Sequence, residues 1–374
     1  MPTIDAIEIY HYRLPLDPPF HAAWDPQPRV SHTNTVVRVR AGDYEGVGTG
    51  DAMLGFAGHE SLFVGRDPFE IERHVQLLDN LQFMYGRCWP LEVAFWDLMG
   101  KISGQPLWKL LGGRSNKVRA YASGLDFHLT DDEFVDLFAS ADSLGYRAFK
   151  IKVGHPDFER DLHRLDLVRK TVQPGAQFMV DANEAWGAKE AAVKLEAIRK
   201  AGFDLMWVED PILRNDFEGL RLLRESIPWT LINSGEYLDV TGKRQLMLAG
   251  GTDILNVHGQ VTDVMRIGWL AAELGIPVSL GNTFLEVGVH MACALPEVEW
   301  LEYSFQNFDH LVEQTMDIHD GWIHAPDRPG HGLVLSEIAR RDWARPEILP
   351  REKLGAAPIN PRVDQRPKLA ASAG

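Results

Sequence analysis

The chain has 374 residues, 45% apolar and 24% charged, proportions that exclude wholesale disorder and supply a large core. A formal charge of −15 argues against sequence-independent binding to nucleic acid phosphates, although a local metal can reverse the sign of one pocket for a small anion. No apolar run approaches the roughly 18 residues of a membrane span, and the start does not read as a signal peptide. Cys88 and Cys293 alone build no disulfide framework, so a cytoplasmic setting is expected.

The opening third reads as α+β. Ile4 to Arg13 and Asn34 to Arg40 have strand character, with a turn at Gly42-Asp43. Asp17 to Pro28 is too rich in proline for a central strand or helix, and Gly48 to Gly58 is loaded with glycine; both are expected to be irregular. From about Pro68 to Leu111 the pattern turns helical, with Trp89 to Gly100 a buried helix candidate and Gly112-Gly113 its exit.

After Asn116 short apolar strands alternate with amphipathic helices. The predicted strands are Val118–Ala122, Ala148–Val153, Phe178–Asp181, Met206–Glu209, Leu231–Ser234, Asp253–Val257, Pro277–Leu280 and Trp300–Glu302. Helices such as Lys189–Ala201 and Thr262–Leu274 lie between them, and the eighth helix has the weakest pattern. Repeated strand–helix units predict an α/β fold, a parallel (β/α)8 barrel of the TIM type, with the first 116 residues as an α+β capping domain. The barrel is expected over 117–314. Residues 315–345 are expected to return to the capping domain, and 346–374 to form a Pro/Ala-rich tail.

Barrels of this kind carry chemistry at the C-terminal ends of their strands. Four consecutive strands end there in charged groups: Lys150 and Lys152, then Asp181-Ala-Asn183, then Glu209-Asp210, then Glu236. Asp181 and Glu209 are 28 residues apart and Glu209 and Glu236 are 27 apart, one β/α unit each. Three carboxylates brought to one rim repel unless a cation lies between them, and hard oxygen ligands favour Mg2+. Acidic residues also end strands as ordinary helix caps, but three in step beside a Lys-x-Lys are not explained that way. Lys150 and Lys152 share a strand face; burial and adjacent cations would leave one partly neutral as a proton-abstracting base, while the other holds a substrate anion.

The order Lys-x-Lys, Asp-x-Asn, Glu-Asp-Pro, Gly-Glu resembles the mandelate racemase/muconate lactonizing branch of the enolase superfamily. With the capping domain and the closing Asp-x-Pro-Gly-x-Gly at Asp327–Gly332, the resemblance covers essentially the whole chain. It implies Mg2+ on Asp181, Glu209 and Glu236, and removal of the proton α to a substrate carboxylate with the metal stabilising the enediolate, one of the recognised patterns of carbon-acid catalysis. It also implies that segments about 17–32 and 48–58 are the loops that close over the substrate. Racemase-like members carry a His at the end of the seventh strand, where this chain has Gly281-Asn282-Thr283. Lactonizing-like members carry a Lys on the sixth, where this chain has His258.

His258 is thus the candidate second acid/base. Glu302 matches the eighth-strand Glu that contacts the substrate carboxylate. Asn282, His21 and Trp24 are candidate substrate contacts, and Asn183 and Asp210 are candidate supports for the metal ligands and Lys152. The expected reaction is an Mg2+-dependent acid-sugar dehydration of a small carboxylate substrate. A racemase, epimerase or cycloisomerase and, in another class, a non-catalytic carboxylate-binding protein remain open. No nucleic acid or membrane partner is expected, and the composition is compatible with a homo-oligomer.

Overall fold

The computed structural model describes residues 1–21, 27–51, 53, 56, 58–124, 126–281, 287–304 and 311–337. The expected tail, 346–374, lies outside them. The chain divides into two compact units: Met1–Arg13, Thr33–Leu107 and Arg328–Gly374 form one, and Leu14–His32 with Trp108–Asp327 form the other.

A sheet of order β1 (Ala6–Phe20), β2 (Arg29–Ala41), β3 (Tyr44–Asp51) opens the chain, its residues up to Arg13 and from Thr33 lying in the first unit together with α1 (Ile71–Tyr85) and α2 (Trp89–Ser103). Two expectations are corrected here. Asp17 to Phe20 is strand, not irregular: β1 is an edge strand, and a proline whose nitrogen faces the open side of an edge gives up no ladder hydrogen bond. The first four residues of the glycine-rich segment, Gly48 to Asp51, are also strand: β3 pairs antiparallel with β2 from Ala41↔Tyr44 to Asn34↔Asp51. Its glycines serve close packing, since a Cβ at Gly46 would lie 2.1 Å from the Ala94 carbonyl oxygen and one at Gly48 1.9 Å from that of Pro90. Bare backbone there lets α2 settle on the sheet, and Leu91, Ala94, Phe95 and Leu98 join Val37, Val39 and Phe56 in one buried core.

The barrel unit contains all eight predicted strands: β4 (Lys117–Ser123), β5 (Ala148–Lys152), β6 (Gln177–Asp181), β7 (Leu205–Glu209), β8 (Leu231–Ser234), β9 (Ile254–Val257), β10 (Val278–Leu280) and β11 (Val298–Ser304). They lie in sequence order, all parallel, and β11 pairs back on β4 to close the ring. After the short α3 (Leu107–Leu110), four of the intervening helices begin where short polar side chains take up free backbone N–H groups. Thr130 and Glu133 form a capping box at α4 (Asp131–Ser143), Asp157 caps α5 (Phe158–Thr171), and beyond α6 (Ala188–Lys200) Asp216 and Asp239 cap α7 (Phe217–Ser226) and α8 (Val240–Leu248). Among the described residues no helix follows β11, and no helix of the chain is long and apolar enough to cross a membrane.

Strand alternation makes the interior layered. Tyr121, Ala148, Met179, Trp207, Ile254 and Trp300 pack together as one buried cluster. Two residues further along the same strands stand Ser123, Lys150, Asp181, Glu209, Asn256 and Glu302, so the apolar layer gives way to a polar one towards the C-terminal ends. After β11 the chain departs from expectation. β12 (Asp317–His319) and β13 (Trp322–His324) form a hairpin whose second strand pairs antiparallel with β4, and the chain rejoins the first unit only at Arg328. The exposed edge of β4's first residues provides the pairing surface that a purely local reading of Gly321–His324 does not reveal. The first expected closing segment also groups mainly with the barrel unit.

Candidate active site

Lys150 and Lys152 close β5, and the strand's period of two turns both towards the barrel axis. Lys150 Nζ lies 2.5 Å from Glu209 Oε1, 2.9 Å from Glu302 Oε1 and 3.6 Å from Asp181 Oδ2. Lys152 Nζ lies 2.5 Å from Asp181 Oδ2. Parallel register explains the grouping: Lys152 is the pairing partner of Asp181, and Asp181 of Glu209. Burial works against both ammonium groups, but the surrounding carboxylates outweigh it and raise both lysines above their ordinary range. The partly neutral lysine expected from burial is therefore not what these residues alone produce: Asp181 holds Lys152 protonated.

The carboxylates divide in the opposite sense. Asp181 would be pushed up by its burial, yet Lys152 and Lys150 bring it below the usual value. Burial pushes Glu209 well above the usual range despite Lys150, and pushes Glu236 up to about 7, with Glu302 and Asp210 adding repulsion. The second oxygen of Glu209 is buried with no hydrogen-bond partner.

Among the described residues no three acidic or His side chains already stand in a finished metal cage, because the ammonium groups draw Asp181 and Glu209 to themselves. An all-oxygen donor set with one orphaned buried oxygen, two carboxyls raised chiefly by burial and no thiolate suits a hard divalent ion. The residues fit Mg2+.

The backbone that presents these groups is strained. Asn183 and Asp210 follow the ends of β6 and β7 with φ of 43° and 37°. Hydrogen bonds hold the strain. Asn183 donates to Asp181 from its backbone N–H at 2.9 Å and from its side-chain amide at 3.3 Å. Asp210 accepts from Ser234 Oγ at 2.6 Å and Gly235 N–H at 3.3 Å, tying the ends of β7 and β8 together. Asn183 thus bonds Asp181 directly, whereas Asp210 bonds Ser234 and Gly235 at the start of the turn that leads to Glu236.

His258 follows β9 on the same face as Ile254 and Asn256, its Nδ1 4.0 Å from Glu236 Oε1. His21 stands with the loop after β4, its ring 5.5 Å from Phe127 and 5.7 Å from His128. Trp24 and Asn282 lie outside the described residues.

Three supports escape a reading of sequence. Lys243, buried on α8, donates to the backbone carbonyls of Gly235, Glu236 and Leu238 and so shapes the turn that carries Glu236. Arg214 makes two 2.6 Å bonds to Glu184 and lies 4.5 Å from the Tyr237 ring centre, linking the loops after β6, β7 and β8. Asp126 accepts from the Lys152 backbone N–H at 3.2 Å. Arg214 and Asp126 have partners 30 and 26 residues away, and Lys243 bonds only backbone carbonyls, which carry no side-chain signal, so no local pattern marks any of the three out.

The geometry agrees with the comparisons. Residues 133–339 match the family model described as enolase C-terminal domain-like. The chain belongs to the enolase superfamily. Within its mandelate racemase/muconate lactonizing branch, this enolase-superfamily chain is 33% identical to the 3,6-anhydro-alpha-L-galactonate cycloisomerase of Streptomyces coelicolor, over 66% of its own length and 68% of the relative's. A solved structure from Mesorhizobium loti, provisionally assigned as a mandelate racemase, is 53% identical with a TM-score of 0.83, covering 96% of this chain and 99% of that one. The L-talarate/galactarate dehydratase of Salmonella typhimurium, solved with Mg and L-lyxarohydroxamate, is 28% identical with a TM-score of 0.81, covering 90% and 92%. Other matching relatives are racemases and epimerases, so the enzymes this chain resembles are lyases and isomerases.

Proposed function

We propose that this chain is an Mg2+-dependent enzyme that removes the α-proton of a carboxylate substrate, and that its reaction is the dehydration of an acid sugar. One observation carries the reading: Lys152 ends the second strand of the closed ring and His258 follows the sixth, so an amine and an imidazole face each other across the barrel. Asp181, Glu209 and Glu236 belong to the third, fourth and fifth units and fill the arc between them. Mg2+ held by those three carboxylates would supply positive charge to the anion formed when the α-proton leaves and would relieve the hold of Asp181 on Lys152.

Lys152, as the free amine, takes the proton from Cα through Nζ. Asp126 and β5 fix the backbone from which that amine projects. Lys150, anchored between Glu209 and Glu302, presents its ammonium to the substrate carboxylate. His258, protonated, gives its proton to the β-hydroxyl as the C–O bond breaks, so that water departs and the electron pair left on Cα becomes the new double bond. His21, Asn282 and Trp24 are the groups we assign to the rest of the sugar chain. The dehydratase neighbour, a protein that binds Mg and an acid-sugar analogue, supports this choice over the other lyases and isomerases.

The same opposed pair also suits racemisation, in which one group removes the proton and the other returns one to the opposite face. Incubation with Mg2+ and a panel of acid sugars in D2O separates the two. Loss of a β-hydroxyl is the expected result, while exchange of the α-hydrogen without elimination establishes the racemase reading. Silence across the panel overturns both and favours a binding protein. A Lys152→Ala variant should lose roughly 10²–10⁴-fold in turnover with its fold intact.

A further inference from the structure

The opposite end of the barrel holds a second concave site. A cleft of about 550 Å3 opens beside the first residues of β4, lined by Arg114, Lys117, Arg119, Leu295, Glu299 and Trp322 among others. That volume falls within the range of small-molecule sites. Lys117 and Arg119 alternate with buried Val118 and Ala120, so they lie on the face that continues inward to Tyr121. The interior cluster of Tyr121, Met179, Trp207 and Trp300 is closed above them, which separates this mouth from the catalytic rim.

The charge of the cleft runs against that of the molecule. Within a chain of formal charge −15, three cations line it against one carboxylate, Glu299. Two of the three, Lys117 and Arg119, lie over aromatic faces that orient them without neutralising them. Lys117 Nζ lies 4.7 Å from the centre of the Trp322 ring, and the Arg119 guanidinium lies 5.6 Å from Trp322 and 5.6 Å from Trp300. Strand pairing fixes these contacts, since Arg119 is the register partner of Trp300 on one side and of Trp322 on the other. A guanidinium fork and an ammonium pre-oriented in a concave site with an apolar wall, with the second guanidinium of Arg114 exposed beside them, are the recognition chemistry of oxyanions.

We propose that this cleft binds a small organic polyanion, carrying phosphate groups or several carboxylates, at a site distinct from the catalytic one. Isothermal titration of the full-length chain in Mg2+-free, low-salt buffer tests it, with pyrophosphate and citrate as the two probes. At least one should bind saturably, one per chain, and the tighter of the two tells phosphate from carboxylate chemistry. Lys117→Met/Arg119→Met should weaken that binding at least about tenfold, as expected for the loss of charge-assisted hydrogen bonds. Arg114→Ala, a single change at an exposed position, should weaken it measurably, Glu299→Gln should tighten it, and Lys152→Ala should leave it unchanged. Absence of saturable binding by both probes, wild-type affinity in the Arg114 and double variants, or loss of binding in Lys152→Ala overturns the proposal.

Discussion

Replacing Lys150 with Met removes the cation most deeply enclosed by the acidic cluster while keeping a side chain of similar length. Lys150 is 2% exposed and its Nζ lies within 3.6 Å of Glu209, Glu302 and Asp181, and Asp181 also has the Lys152 ammonium at 2.5 Å. Because its neighbours hold Lys150 well above the usual lysine range, a full positive charge is lost at any working pH. Breaking a buried ion pair costs about 3–5 kcal/mol, chiefly through the carboxylates left uncompensated. At ~2 °C per kcal/mol for a chain of this size, the melting temperature in EDTA should fall by about 6–10 °C. Excess Mg2+ should narrow the gap between variant and wild type, because a divalent ion supplies the missing charge; about 100-fold excess over Kd is worth roughly 2.7 kcal/mol. Scanning fluorimetry of both proteins, with EDTA and with Mg2+, makes the measurement. A fall below about 2 °C in EDTA, or a gap that Mg2+ widens, refutes this account of the cluster.

Three further outcomes are expected. Lys243→Met frees the turn bearing Glu236, and titration calorimetry should show Mg2+ affinity lowered by about 10–100-fold, as for other groups that orient metal ligands. His74 is buried between Phe63 and Phe95 with its pKa pushed down to about 4, mainly by burial, so the native state excludes a proton that the unfolded chain binds below about 6.5. Its contribution to stability is present above that pH and is lost as pH falls towards 4, by roughly 3 kcal/mol, and His74→Gln should flatten the acid limb of melting temperature against pH. Gly48→Ala should destabilise by about 1–3 kcal/mol or more in a thermal melt, because a Cβ 1.9 Å from the Pro90 carbonyl oxygen must push α2 off the sheet.

The barrel was legible because its signals are local and repeated. Apolar runs of three to seven residues, helices between them and charged residues near successive strand ends all follow from the period of one β/α unit, and the eight strands stand where that rhythm puts them. The same spacing points to Asp181 and Glu209, which are register partners on adjacent parallel strands, whereas Glu236 stands in the turn three residues past Asn233, the register partner of Glu209. The lysine pair followed from the strand's period of two.

What the chain's order determined, then, is the succession of elements and the end of the barrel at which each charged group emerges. Tertiary structure decided which of those groups touch. Lys150 meets Glu209 and Glu302 only because β11 closes on β4, and Lys152 is held as a cation because Asp181 lies beside it in an interior that water cannot screen. The prolines of β1 are tolerated by an edge, the glycines of β3 are demanded by a helix some 45 residues later, and β13 pairs with a strand some 200 residues earlier. Such outcomes depend on contacts distant in sequence, whereas local propensity and spacing report only on neighbours along the chain.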